Sequence, residues 1–147
     1  MKRYVISVRL QKGCYRHINV CRDTSLEEFA DIILWSFDFF NDHAHAFFMN
    51  NKIWTDDDAY FASWIDEDLE YHHTCDYNLD TVSVGQSFKF VFDFGEDWTF
   101  QCKVLREANS KDNADCYDDN DDDAYIVKEV GEAPQQYYDY SDKEFED

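Results

Sequence analysis

The sequence predicts an α+β fold: a mostly antiparallel β-sheet with one main amphipathic helix packed on it, opening β-β-α-β. Three observations carry this. Apolar residues alternate through Tyr4 to Leu10 and again through Phe88 to Val104, the two-residue period of half-buried strands. Only one stretch, Leu26 to Phe40, repeats apolar residues at spacings of three and four. Turn-forming residues, Lys12-Gly13, Asn50-Asn51 and Gly95-Glu96-Asp97, separate the strand-like runs.

Tyr4, Ile6, Val8 and Leu10 share one face of the first strand, Lys12-Gly13 breaks it, and Tyr15 to Val20 returns as the second arm of a hairpin. Ser25 and Glu28 have capping-box spacing, so a helix starts at Leu26. Its stripe, Leu26, Phe29, Ala30, Ile33, Phe37 and Phe40, is expected to lie on the sheet. His43 to Trp54 predicts another hairpin, because Asn50-Asn51 tolerates the left-handed conformations of tight turns. Thr55 to Asn78 is acidic and aromatic and is assigned irregular structure, with a packed segment at Tyr60, Phe61, Trp64 and Ile65. Phe88, Phe90, Phe92 and Phe94 are placed on one strand face, and Trp98, Phe100, Cys102 and Val104 resume the alternation after a tight loop. On this phase Cys102 is buried and slow to react, whereas Cys116 is accessible.

A chain of 147 residues with 44% hydrophobic and 18% aromatic content supplies the core of one domain, 1–147. From Asp112 onward there are 14 acidic and two basic residues, which predicts an acidic loop at 112–123 and an acidic C-terminal tail at 138–147. The whole chain carries 33 Asp/Glu against 13 Lys/Arg, a net charge of −20. That field favours basic protein partners and repels phosphate backbones, so no direct nucleic-acid binding is expected. Tyr4 to Leu10 is too short, and too interrupted by Ser7 and Arg9, to be a signal peptide or membrane span. The expectation is a cytoplasmic protein without membrane contact. Five cysteines without CxxC spacing suit reduced thiols.

Several of these pieces stand in a recognisable order: the hairpin Tyr4 to Val20, the helix from Ser25-Leu26, HAHAF at His43 to Phe47, FDFGEDW at Phe92 to Trp98, and GEAPQQY at Gly131 to Tyr137. The chain thereby resembles the plasmid pRiA4b ORF-3-like family, also met in passenger proteins of some insertion elements. The family motif is close to YDFGDxW, so Phe92 replaces a tyrosine and Glu96 an aspartate. The family's H-L-x-x-F corresponds to His43-Ala44-His45-Ala46-Phe47, and its proline-rich, cysteine-bearing C-terminal segment is reduced to GEAPQQY. The resemblance implies an α+β fold of mostly unestablished activity.

Gly95-Glu96-Asp97 admits two readings. Gly95 and Asp97 satisfy a turn, with Gly95 able to take positive φ; alternatively Asp93, Glu96, Asp97 and Trp98 form an acidic, aromatic patch for a basic ligand or a metal. His43 and His45, two residues apart, are candidate metal ligands, with His72, His73, Cys75 and Asp76 as a second group, although neither has a standard zinc spacing. Asp118, Asn120, Asp122 and Glu129 match four calcium-loop positions, but Asp123 stands where that loop requires glycine. No cofactor is expected. The expected function is a non-enzymatic, acidic interaction module docking a basic protein. The alternatives are a nucleic-acid-mimicking inhibitor of a nuclease or nucleic-acid-binding protein, and a metal-dependent hydrolase using His43, His45 and the acidic turn.

Overall fold

The structure, a computed structural model, describes residues 2–55, 58–62, 72–109 and 124–136. The acidic loop 112–123, the tail 138–147, Trp64, Ile65, Cys116, Asp118, Asn120 and Asp122 lie outside the described residues.

Strands β1 (Arg3–Gln11) and β2 (Cys14–Cys21) form the predicted hairpin, with Val8 opposite Arg16 and Ile6 opposite Ile18. Helix α1 (Leu26–Ser36) follows, and Ser25 Oγ accepts from the Glu28 amide at 3.0 Å, as the capping-box spacing required. Next come β3 (His45–Phe48), β4 (Ala59–Phe61), β5 (His72–His73), β6 (Ser87–Phe92), β7 (Trp98–Glu107) and β8 (Tyr125–Val130). They make one sheet in the order β5-β4-β3-β6-β7-β1-β2-β8, antiparallel except for β4 with β5. This is the α+β architecture expected from the sequence. Among the described residues no helix is long and apolar enough to cross a membrane.

One face of the sheet carries the main core. Leu26, Phe29, Ala30, Ile33, Leu34 and Phe37 of the helix side are fully buried, against Ile6, Val8, Ile18, Phe47, Phe90 and Phe100 of the sheet. The rings interlock: Phe47 and Phe90 are 4.8 Å apart between centroids, Phe37 and Phe100 5.1 Å, and Phe90 and Phe100 5.5 Å. Cys102 is buried in the same layer, as its phase predicted, and burial pushes its thiol pKa up. A smaller cluster occupies the opposite face: Ala46, Phe48, Ala59 and Val91, with Phe61 and Phe94 packed on them.

Three expectations are corrected. Phe94 belongs to the smaller cluster, not to the face of Phe88, Phe90 and Phe92, because Asp93 sits at φ 60° and breaks the alternation. The arm that returns on β3 is Ala59–Phe61 rather than Lys52–Trp54. Asn51 does take the left-handed conformation (φ 67°), but the loop closes only where Met49 N donates to Asp58 O, 2.9 Å. Phe40 leaves the helical stripe and is 73% exposed, since α1 stops at Ser36.

Candidate functional site

The β6–β7 turn is built around Asp93. Its backbone carbonyl accepts from Glu96 N at 3.0 Å and Asp97 N at 2.6 Å, its Oδ1 accepts from Gly95 N at 3.2 Å, and its amide donates to Ala44 O at 2.9 Å. The left-handed residues are Asp93 (φ 60°) and Asp97 (φ 52°), not Gly95, which corrects the glycine's expected role. Asp93 is therefore a buried turn residue, while Glu96 and Asp97 project into solvent. Trp98 follows half-buried, its ring 5.0 Å from Phe39, and its indole Nε1 is buried without a hydrogen-bond partner among the described residues.

Phe39 brings the helix end to this turn. The N–H of Asp38 donates to Trp35 O at 3.1 Å and that of Phe39 to Leu34 O at 2.9 Å, the paired bonds of a Schellman cap. The left-handed position of that cap is commonly glycine, but here it is Asp38 at φ 59°. No basic residue occupies the last helical turn, so a carboxylate stands where the helix dipole favours a cation. The chain continues through Asp42 to His43, whose Nε2 lies 3.6 Å from Asp42 Oδ1 and 3.5 Å from Asp93 Oδ2. The helix exit and the β6–β7 turn thus meet in one acidic end.

Phe40 crowns it. Gln136 grips its backbone from both sides: Phe40 N donates to Gln136 Oε1 at 2.6 Å, and Gln136 Nε2 donates to Phe40 O at 3.0 Å. The segment bearing Gln136 leaves β8 through Gly131 at φ 81°, where a Cβ would overlap the Gly13 carbonyl, so only glycine fits. Between Phe37, Asp38, Phe40, Pro134 and Gln136 lies a depression of about 350 Å³. Trp35 is 59% exposed on the last turn of the same helix. The sequence reading missed Phe40, Asp38, Asp42 and Gln136; the Gly131 to Tyr137 motif was the available signal for the last.

The remaining candidates go elsewhere. His45 is buried and its Nε2 lies 2.9 Å from Thr74 Oγ1; burial lowers its pKa to about 4, opposed in part by Asp31, so the ring is neutral at physiological pH. His72 Nδ1 meets the Tyr77 hydroxyl at 2.7 Å, and Cys75 Sγ lies 3.7 Å from Asp76 Oδ1. Glu129 pairs with Arg16 across 3.2 Å. Among the described residues no three His, Cys, Asp or Glu side chains are grouped to hold a metal ion.

The fold is shared with a crystal structure of a protein of unknown function from Methanosarcina mazei Go1, at a TM-score of 0.60 and 18% identity. The alignment covers 74% of this chain and 64% of that one. No curated protein matches the chain. The family model described as plasmid pRiA4b ORF-3-like protein matches residues 2–143, which include the hairpin, the Phe92 to Trp98 turn and the Gly131 segment described above. The chain belongs to the plasmid pRiA4b ORF-3-like family.

Proposed function

We propose that the protein is a non-enzymatic interaction module whose acidic, aromatic end docks a basic protein segment. The observation that supports this most is Phe40: a ring 73% exposed, yet fixed through its backbone by Gln136 and flanked by exposed Asp38 and Asp42. A large exposed apolar group held in one place loses little freedom on binding, which is what an interface anchor requires. Lysine and arginine stems are apolar and their heads are cationic, so they match rings and depression with the stem and carboxylates with the head. Glu96 and Asp97 extend the acidic rim past Trp98. The net charge of −20 speeds encounter with a basic partner. We place this encounter in the cytoplasm, where thiols such as Cys14, Cys21, Cys75 and Cys102 stay reduced.

The test places a photo-crosslinking residue at position 40 of the full chain, identifies the protein it captures, and titrates that protein by calorimetry. Phe40→Ala, at an unchanged thermal midpoint, is expected to weaken binding by about 2 kcal/mol, the size of an interface hot spot. A folded Trp35→Ala/Phe40→Ala variant that binds as tightly as the parent sinks the reading. A nucleic-acid mimic is the narrower form of the same reading, and displacement of the partner by DNA or RNA identifies it. A metal-dependent hydrolase would need His43 and His45 to converge, and here they face Asp93 and Thr74 respectively.

A further inference from the structure

Charge is not spread evenly over this acidic chain. The described strands contain seven of its Lys/Arg residues and only two of its Asp/Glu residues, Glu107 and Glu129, so the rest of the chain holds six basic and 31 acidic. Glu129 pairs with Arg16 on the helix side, and Glu107 lies at the end of β7 beside Lys2 and Arg22. Among the described residues the strand positions on the face away from α1 therefore carry Arg3, Arg9, Lys89, Lys103, Arg106 and Lys128 and no carboxylate. The net charge of the whole chain does not disclose this face.

The centre of this face is two adjacent rungs. Lys103, Ser7, His17 and Lys128 stand side by side on β7, β1, β2 and β8, and Gln101, Arg9 and Tyr15 form the next rung. Diagonal neighbours on such a sheet are about 7–8 Å apart, close enough for Arg9 and Lys103 to reach one anion over Ser7. Among the described residues Arg9, Lys103 and Lys128 have no carboxylate partner, in a chain with more than twice as many acids as bases. Burial lowers the His17 pKa, and Lys128 and Arg106 lower it further, as expected in a locally positive field. Ser7, Arg9, Tyr15, His17, Gln101 and Lys103 line a depression of about 310 Å³, within the range of small-molecule sites, and Lys128 Nζ lies over the Tyr15 ring, 5.6 Å from its centroid. Along one side of it Tyr15 and His17 set their rings 5.3 Å apart.

We propose that this depression binds a small phosphate-bearing ligand with a planar body, Arg9 and Lys103 holding the phosphate and Tyr15 with His17 receiving the plane. Arginine and lysine supply charge-assisted hydrogen bonds to phosphate oxygens, and the Ser7 hydroxyl adds a neutral donor. A compact ligand is favoured over a polyanion. A long nucleic acid or acidic segment would extend beyond the basic rungs into the field of a chain whose other elements are overwhelmingly acidic.

The experiment is a titration of the full isotope-labelled chain with phenyl phosphate, inorganic phosphate, an oligothymidylate and a polyglutamate peptide, read through backbone amide shifts. Phenyl phosphate is expected to give saturable shifts at Ser7, Arg9, Gln101 and Lys103, and to bind more tightly than inorganic phosphate. Arg9→Gln/Lys103→Gln, both at exposed positions, should leave the thermal midpoint in place and lower affinity at least about tenfold, the worth of one charged hydrogen bond. Lys12→Gln, at the hairpin tip, should leave affinity unchanged. The proposal fails if phenyl phosphate gives no saturable shifts on this face, or if the double variant binds it as well as the parent. It fails equally if the oligothymidylate or polyglutamate occupies the face while phenyl phosphate does not.

Discussion

Asp38→Gly should make the protein more stable and a poorer binder. Asp38 holds the left-handed position of the cap on α1, with φ 59°. A residue with a Cβ gives up about 1–2 kcal/mol there, less for aspartate because its short polar chain tolerates the region. Its carboxylate beside the last helical carbonyls adds roughly 0.3–1 kcal/mol of unfavourable dipole interaction. Glycine removes both terms and returns about 0.5–1 kcal/mol through the greater freedom of the unfolded chain. The net expectation is about 1 kcal/mol of stabilisation, or roughly 3 °C in midpoint for a domain of this size. Urea unfolding is the assay: the midpoint should rise while the slope stays constant, which assigns the change to stability rather than to the denatured state. Asp38→Asn separates the terms, since it removes the charge and keeps the side chain; it should return only the dipole contribution, roughly 0.3–1 kcal/mol. If Asp38→Gly unfolds at the same or a lower urea concentration, the strain argument at the helix exit is wrong. The same variant should weaken the basic partner, because Asp38 lines the depression beside Phe40.

Two further outcomes test the fold. Phe90→Ala removes a fully buried ring packed on Phe47 and Phe100 and should cost about 3–5 kcal/mol in urea unfolding. His45 is held neutral, with its pKa lowered to about 4 from 6.5, so its unfolded form binds the proton between those values. Stability should fall by about 3 kcal/mol as pH drops through that window, with no contribution from this group above it. His45→Gln, which can still bond Thr74, should flatten that part of the pH profile; an unchanged difference between pH 7 and pH 4 refutes the assignment.

What could be read from the sequence was whatever repeated. The β1–β2 hairpin and the β6–β7 pair follow from alternation, and the start of α1 from Ser25 and Glu28, because each is decided within a few residues. Errors arose where one residue changed the rule without a recognised signal. Asp93 ended an alternation that its type did not mark, sending Phe94 to the other face. Asp38 stopped a helix without being the glycine that announces a stop, so the stripe was carried on to Phe40. The candidate site divides likewise: Asp93 and Trp98 sit in a visible motif, whereas the clamp of Gln136 on Phe40 joins residues 96 apart and leaves no local trace. The basic face was within reach. Once strands are assigned, counting Lys/Arg and Asp/Glu on them alone exposes it, and the whole-chain net charge had averaged it away.

That averaging decides which partners each surface can meet. Beyond a Debye length of about 8 Å a ligand feels the summed charge, which is strongly negative; within it, the nearest side chains dominate. At the acidic end both ranges act in the same direction, so a basic segment is attracted from afar and held on arrival, and added salt weakens both steps. On the open sheet face they oppose: the distant field repels an anion that Arg9 and Lys103 attract at contact. Salt screens the long-range repulsion more effectively than the short contact, so binding of a small anion there should depend weakly on ionic strength. A polyanion laid across the same rungs keeps its outer charges in the negative field at every approach. Under the two proposals the faces would select partners of opposite sign and unequal size, and their salt dependences should distinguish them even before a partner is named.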